Sequence, residues 1–169
     1  MVSLVQPHGL EYRPKLKRLQ DVQAEIYRLL HLLIPDDLAF YEAMVSRVPG
    51  SPDLLMQVLE RHPYTTFIRL TYQFGDGEDR SYSPEAHIRF YRDARMAEAT
   101  SFNTGQGCTR TAHPSYPPRQ LLQLSWRRNR ALDRWLDYLL KQGHSAQTMK
   151  PAQATEHSVE EDRIFVQIS

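Results

Sequence analysis

The chain is 169 residues long, enough for one domain with a sizeable core and too short for two comfortable ones. Its 21 basic and 20 acidic residues leave a formal charge of +1, so no global field points to nucleic acid, an anionic membrane or an acidic substrate. A lone cysteine, Cys108, excludes an internal disulfide framework, and no apolar run approaches signal-peptide or membrane-spanning length, so a reducing cytoplasmic setting is expected.

In chain order, residues 1–15 mix proline, glycine and charges without a period and are expected to form a loose arm. Pro14 suits a first helical turn, where its missing N–H would have no partner anyway. Leu19, Val22, Ile26, Leu29, Leu30 and Leu33 then recur every three or four residues, which predicts a helix over 16–34 with one apolar face. Pro35-Asp36-Asp37 ends it. Residues 38–48 fit either a helix or a strand. The turn cluster Pro49-Gly50-Ser51-Pro52-Asp53 leads into the strand-like LLMQVLE and favours a strand before it, closing a hairpin.

Residues 65–74 alternate cleanly. Ile68, Leu70, Tyr72 and Phe74 share one face with Thr66, whereas Phe67, Arg69, Thr71 and Gln73 share the other. After an expected loop over 74–84, Ala86, Ile88 and Phe90 alternate with His87, Arg89 and Tyr91. A turn at Asp93-Ala94 folds the chain back, placing Tyr91 opposite Met96, Phe90 opposite Ala97, Arg89 opposite Glu98 and Ile88 opposite Ala99. Apolar then meets apolar and Arg89 meets Glu98, a match that a one-residue slip would lose.

Residues 103–118 form a long connection, rich in proline, glycine and hydroxyls. A second helix is expected to start between residues 118 and 125, with Leu132, Trp135, Leu136, Leu139 and Leu140 as its buried stripe and Gly143 as its stop. Residues 145–169 are polar and expected to form a disordered tail, whose terminal RIFVQIS is apolar enough to dock as an edge strand or on a partner. The expected architecture is α+β: an antiparallel sheet of four to five strands in meander order, packed on an N-terminal and a C-terminal helix, within one domain over 16–144.

The segment ERHPYTT from Glu60 to Thr66, the strand FIRLTYQF after it, IRFYRDARMAEA from Ile88, the pair Tyr116-Pro117 and RALDRWLDYLLKQG from Arg130 resemble the signature segments of the YqiB-like family, a bacterial domain of unknown function. The resemblance spans about 16–144. It implies this fold and a bacterial cytoplasm, and no activity. The family often has Tyr-His-Asp where this chain has Tyr91-Arg92-Asp93, and a cysteine and an asparagine where Gln23 and Ile26 align. Those differences weigh against a metal or thiol role at these positions.

No motif carries a recognisable chemistry. The histidines are scattered without zinc-site spacing, so no metal or other cofactor is expected. Cys108 with His113 is a minimal thiol–base pattern, better read as an incidental loop cysteine. Arg127, Arg128, Arg130 and Arg134 are read as a solvated helix face, and Phe67, Tyr91 and Trp126 as packing residues in place of nucleobase platforms. The candidate interaction or ligand surface is Glu60, Arg61, Tyr64, Arg69, Arg89, Tyr91 and Glu98. Two functions stay open. One is a non-enzymatic interaction or regulatory protein, whose partner is another protein and neither nucleic acid nor membrane. The other is a small-ligand or catalytic site between the sheet and the 103–118 loop.

Overall fold

A computed structural model describes residues 12–36, 42–105 and 115–152 of the chain. The elements follow as α1 (Tyr12–Leu33), β1 (Ala43–Ser46), β2 (Asp53–Arg61), β3 (Thr65–Phe74), β4 (Ser81–Tyr91), β5 (Met96–Asn103), α2 (Pro118–Lys141) and β6 (Met149–Pro151). The strands form one sheet in the order β5-β4-β3-β2-β1-β6, each pair antiparallel. The first five strands are a meander, and the chain then crosses through α2 to add the sixth beyond β1.

Alternation builds the core. Leu54 and Met56 of β2, Ile68 and Leu70 of β3, Ala86 and Ile88 of β4, and Ala97 and Ala99 of β5 are all buried on one face. Both helices press their stripes on that face, α1 through Ile26, Leu30 and Leu33, and α2 through Leu132, Leu136 and Leu139. Each helix has one apolar stripe, so stacking both on the same face also brings them against each other. Trp135 lies edge-on to Tyr72 and Phe102, with both ring centroids at 5.8 Å.

The β4–β5 hairpin has the expected register: Tyr91 pairs with Met96, Phe90 with Ala97, Arg89 with Glu98 and Ile88 with Ala99. Arg92 to Arg95 make the turn, which Arg95 closes in the left-handed region at φ 51°. Beyond Ile88 a bulge shifts the pairing, so His87 faces Ser101.

Several boundaries differ from the sequence expectation. Among the described residues the first helix reaches back to Tyr12, and Pro14 is accommodated within it where a missing N–H costs least, near a helix N-terminus. The strand expected within 38–48 is confined to Ala43–Ser46 among the described residues; positions 37–41 lie outside them. β4 begins at Ser81 because Ser81 and Tyr82 still pair with Phe74 and Gln73 past a bulge. The loop before it is therefore shorter than expected and turns at Gly75, φ 73°, where a Cβ would meet the Asp79 carbonyl oxygen at 2.7 Å.

The sheet has six strands where four to five were expected, and the extra one falls in the stretch expected to be tail. Its Ser46–Met149, Val45–Lys150 and Met44–Pro151 pairs hold residues 149–151 to β1. Met149 is buried, and the Ala152 N–H donates to the Ala43 carbonyl at 3.0 Å. The arm over 1–11, the loop positions 106–114 with Cys108 and His113, and the RIFVQIS end lie outside the described residues.

Candidate functional site on the open face of the sheet

Residues of odd parity on β3 and β4 point away from both helices. Across the strands they form rows: Gln57, Arg69, His87 and Ser101 in one; Glu60, Phe67, Arg89 and Glu98 in the next; Tyr91 and Met96 beyond. At the β5 margin α1 reaches this face through Gln23.

Arg69 is held on three sides. Its guanidinium donates to Glu85 at 2.6 Å and to Gln57 at 2.9 Å, and lies 5.2 Å from the Tyr82 ring centroid. That bond from Arg69 keeps the Glu85 carboxyl below its ordinary range against the opposing effect of burial.

The denser cluster surrounds Glu98. Arg89 lies 4.7 Å above the Phe67 ring, the geometry of a cation–π contact, and its Nη1 donates to the Tyr91 hydroxyl at 3.2 Å and to Glu98 Oε1 at 3.3 Å. The Tyr91 hydroxyl donates to the same oxygen at 2.8 Å, while Gln23 Nε2 of α1 reaches Glu98 Oε2 at 3.4 Å. Burial pushes the Tyr91 phenol up, and the bond to Tyr91 raises Arg89 above its ordinary value.

Arg128 of α2 completes the group. Burial lowers its affinity for the proton, and Glu98 is the charge that offsets this. Among the described residues the Nε atoms of both Arg89 and Arg128 are buried without a hydrogen-bond partner. Glu98 thus bonds Arg89 and acts on Arg128 through its charge alone, so that among the described residues both guanidiniums keep unused donors.

Of the residues singled out in the sequence, Arg69, Arg89, Tyr91 and Glu98 come together on this face. Glu60 lies at its end, paired with His62 at 3.2 Å, and His62 stands edge-on to Phe67. Arg61 pairs with Thr66 and so belongs to the opposite face, and Tyr64 sits exposed in the β2–β3 turn. Gln23 was not among the candidates, and Arg128, expected on a solvated helix face, is instead partly buried with its Nε out of solvent. Gln23 stands between Leu19 and Ile26 on the stripe of α1, and Arg128 stands four residues before Leu132 on that of α2, so helical spacing held the signal. The ligand site expected between the sheet and the 103–118 loop depends on positions 106–114, outside the described residues.

A second polar group lies at the far end of the core. His144, buried beyond Gly143, meets the Ser46 hydroxyl at 2.7 Å through Nδ1 and the Ser51 hydroxyl at 3.0 Å through Nε2. Ser46 also bonds Thr148 at 2.6 Å, and Ser51 bonds the Tyr72 hydroxyl at 3.2 Å. A serine beside a histidine is the start of a nucleophile–base pair, which further needs a group orienting the base and an accessible nucleophile. Here both ring nitrogens are taken by hydroxyls and Ser46 is fully buried. The arrangement ties α2 to β1 and to the β1–β2 turn.

No helix among the described residues is long and apolar enough to cross a membrane. No curated protein and no solved structure matches the chain. Residues 28–145, which include the whole meander and α2, match the family described as "Protein of unknown function (DUF1249)". That match covers most of the chain, and the protein belongs to this family.

Proposed function

We propose that this is a non-enzymatic interaction protein of the bacterial cytoplasm, YqiB-like in the sense of its signature segments, whose protein partner docks on the open sheet face around Arg89, Glu98 and Arg128. The observation that carries this reading is the trio of two partly desolvated guanidiniums, each with an Nε unpartnered among the described residues, beside one carboxylate. A carboxylate from a partner would balance it. Phe67, Tyr91 and Met96 beside the trio supply the apolar and aromatic contact that interface centres favour, with arginine as the enriched charged residue. The partner therefore presents an acidic side chain next to an apolar one. Regulation would follow from occupancy of this surface.

The test begins with capture from bacterial lysate and continues with the purified partner. Exchanging the charges in an Arg89→Glu, Glu98→Arg double variant should leave the fold intact, since a partly exposed pair contributes less than about 1 kcal/mol. Affinity for the partner should fall at least about tenfold, because interface charges govern recognition more than folding. Arg128→Glu should weaken binding as well, and added salt should weaken the wild type. Equal affinity of both variants and wild type for the purified partner would refute the assignment.

A further inference from the structure

A separate cavity of about 260 Å³ opens between the C-terminal half of α1 and the ends of β3 and β4. One wall is aromatic. Tyr27 and Phe90 stack at 4.7 Å with their planes 18° apart, and His31 meets Tyr27 edge-on at 4.5 Å. Leu30, Ile34 and Ile68 make the rest of the lining apolar. At the rim stand Arg92, whose Nη2 donates to the Thr66 hydroxyl at 3.2 Å, and Asp36. Among the described residues neither Arg92 nor Asp36 takes part in an ion pair. The Arg92 backbone is fixed as well, its N–H donating to the Tyr64 carbonyl at 3.0 Å.

Size and charge narrow the ligand. Pockets for drug-sized molecules run from roughly 300 to 1,000 Å³, so this one suits a single ring with short substituents. One guanidinium and one hydroxyl can hold a carboxylate, whereas Asp36 at the same rim disfavours a doubly charged phosphate and favours a cation. A ligand that satisfies both rim charges and the ring wall carries a carboxylate, an ammonium and an aromatic body.

We propose that this cavity binds a zwitterion of aromatic amino-acid size, with its carboxylate on Arg92 and Thr66, its ammonium facing Asp36 and its ring against Tyr27 and Phe90. The site is distinct from the partner surface and goes beyond the proposed function. None of the groups that form it belongs to the trio around Glu98.

Titration calorimetry on the full chain tests it with three probes: phenylalanine, 3-phenylpropionate, which lacks the ammonium, and phenethylamine, which lacks the carboxylate. Phenylalanine should bind at least about tenfold more tightly than either, the factor expected when one charge-assisted contact is lost. Arg92→Ala should reduce phenylalanine to the affinity of phenethylamine, and Asp36→Asn to that of 3-phenylpropionate. Both side chains are exposed, so both variants should melt with the wild type. In wild-type spectra the aromatic resonances of Tyr27 and Phe90 should shift on phenylalanine addition. The Arg89→Glu, Glu98→Arg variant should bind phenylalanine normally, which separates this site from the other. No saturation up to the solubility of phenylalanine, equal binding of all three probes, or indifference to both rim substitutions would overturn the assignment.

Discussion

At the scale of single residues, His144 couples burial to protonation. Among the described residues its ring bonds only hydroxyls, and burial lowers its proton affinity below the ordinary value of 6.5 against the weaker opposing effect of the Asp53 charge. The unfolded chain therefore takes up the proton first. Its contribution to stability is fully present above about pH 6.5 and is lost as pH falls through the lower folded value. Replacing His144 by Gln should flatten the dependence of the melting temperature on pH between about 6.5 and 5, where carboxylates have yet to dominate. Parallel curves for variant and wild type would mean that the ring does not titrate with folding. Nothing in the sequence marked this residue. Its role depends on Ser46 and Ser51, which lie far away in the chain and come near only when α2 meets β1.

Among elements, the hairpin was the most legible because side chains on strands alternate with a period of two, and a register that pairs Ile88 with Ala99 leaves little choice for Arg89 and Glu98. Alternation also put Arg69, Arg89, Tyr91 and Glu98 on one face. Bulges are a different matter. Those near Val58, Thr71 and His87 insert a residue for reasons of strand twist, and no composition marks them. In the sequence Arg128 reads as part of a solvated face, and Gln23 and Asn129 show no structural role, because polar residues on a helix suggest solvent until their place on the apolar stripe is counted. Asn129 is fully buried; its Oδ1 accepts from the Ala99 N–H at 3.0 Å while its Nδ2 donates to the Ser125 carbonyl at 2.8 Å. Asn129→Ala should cost about 1 to 3 kcal/mol, the cost of leaving a buried backbone donor unsatisfied. Hydrogen exchange at Ala99 should rise with it. Unchanged protection at that amide would show that another group takes the bond.

For the molecule as a whole, the helices, the meander and the shared core face followed from apolar periodicity, and the last strand did not. The segment Met149–Pro151 has one buried apolar side chain and is held by backbone pairing, a contribution that composition does not display. The hydroxyl of Thr148, bonded to Ser46, adds a side-chain tie. A chain ending after residue 144 should therefore be less stable than one ending after residue 152. The loss should be about 2 kcal/mol or more, from exposing Met149 and breaking the Ser46–Thr148 bond. Coincident melting curves of the two truncated chains would show that β6 contributes nothing.

The two margins of the sheet bear on how any partner can approach. An unguarded outer strand offers a row of free amides and carbonyls to a passing peptide, and binding domains often recruit a partner by letting it extend the sheet. In this protein Asn129 occupies the Ala99 amide on the outside of β5. At the opposite margin β6 covers β1 and is itself only three residues long, ending in a proline that has no amide to give. Among the described residues, one amide of β5 is thus already taken and β6 offers only a short edge, which narrows the room for strand addition at both margins. Under the proposed function, a partner would then be read by side chains across the breadth of the sheet, and the arginine, tyrosine and glutamate placed there would set its selectivity.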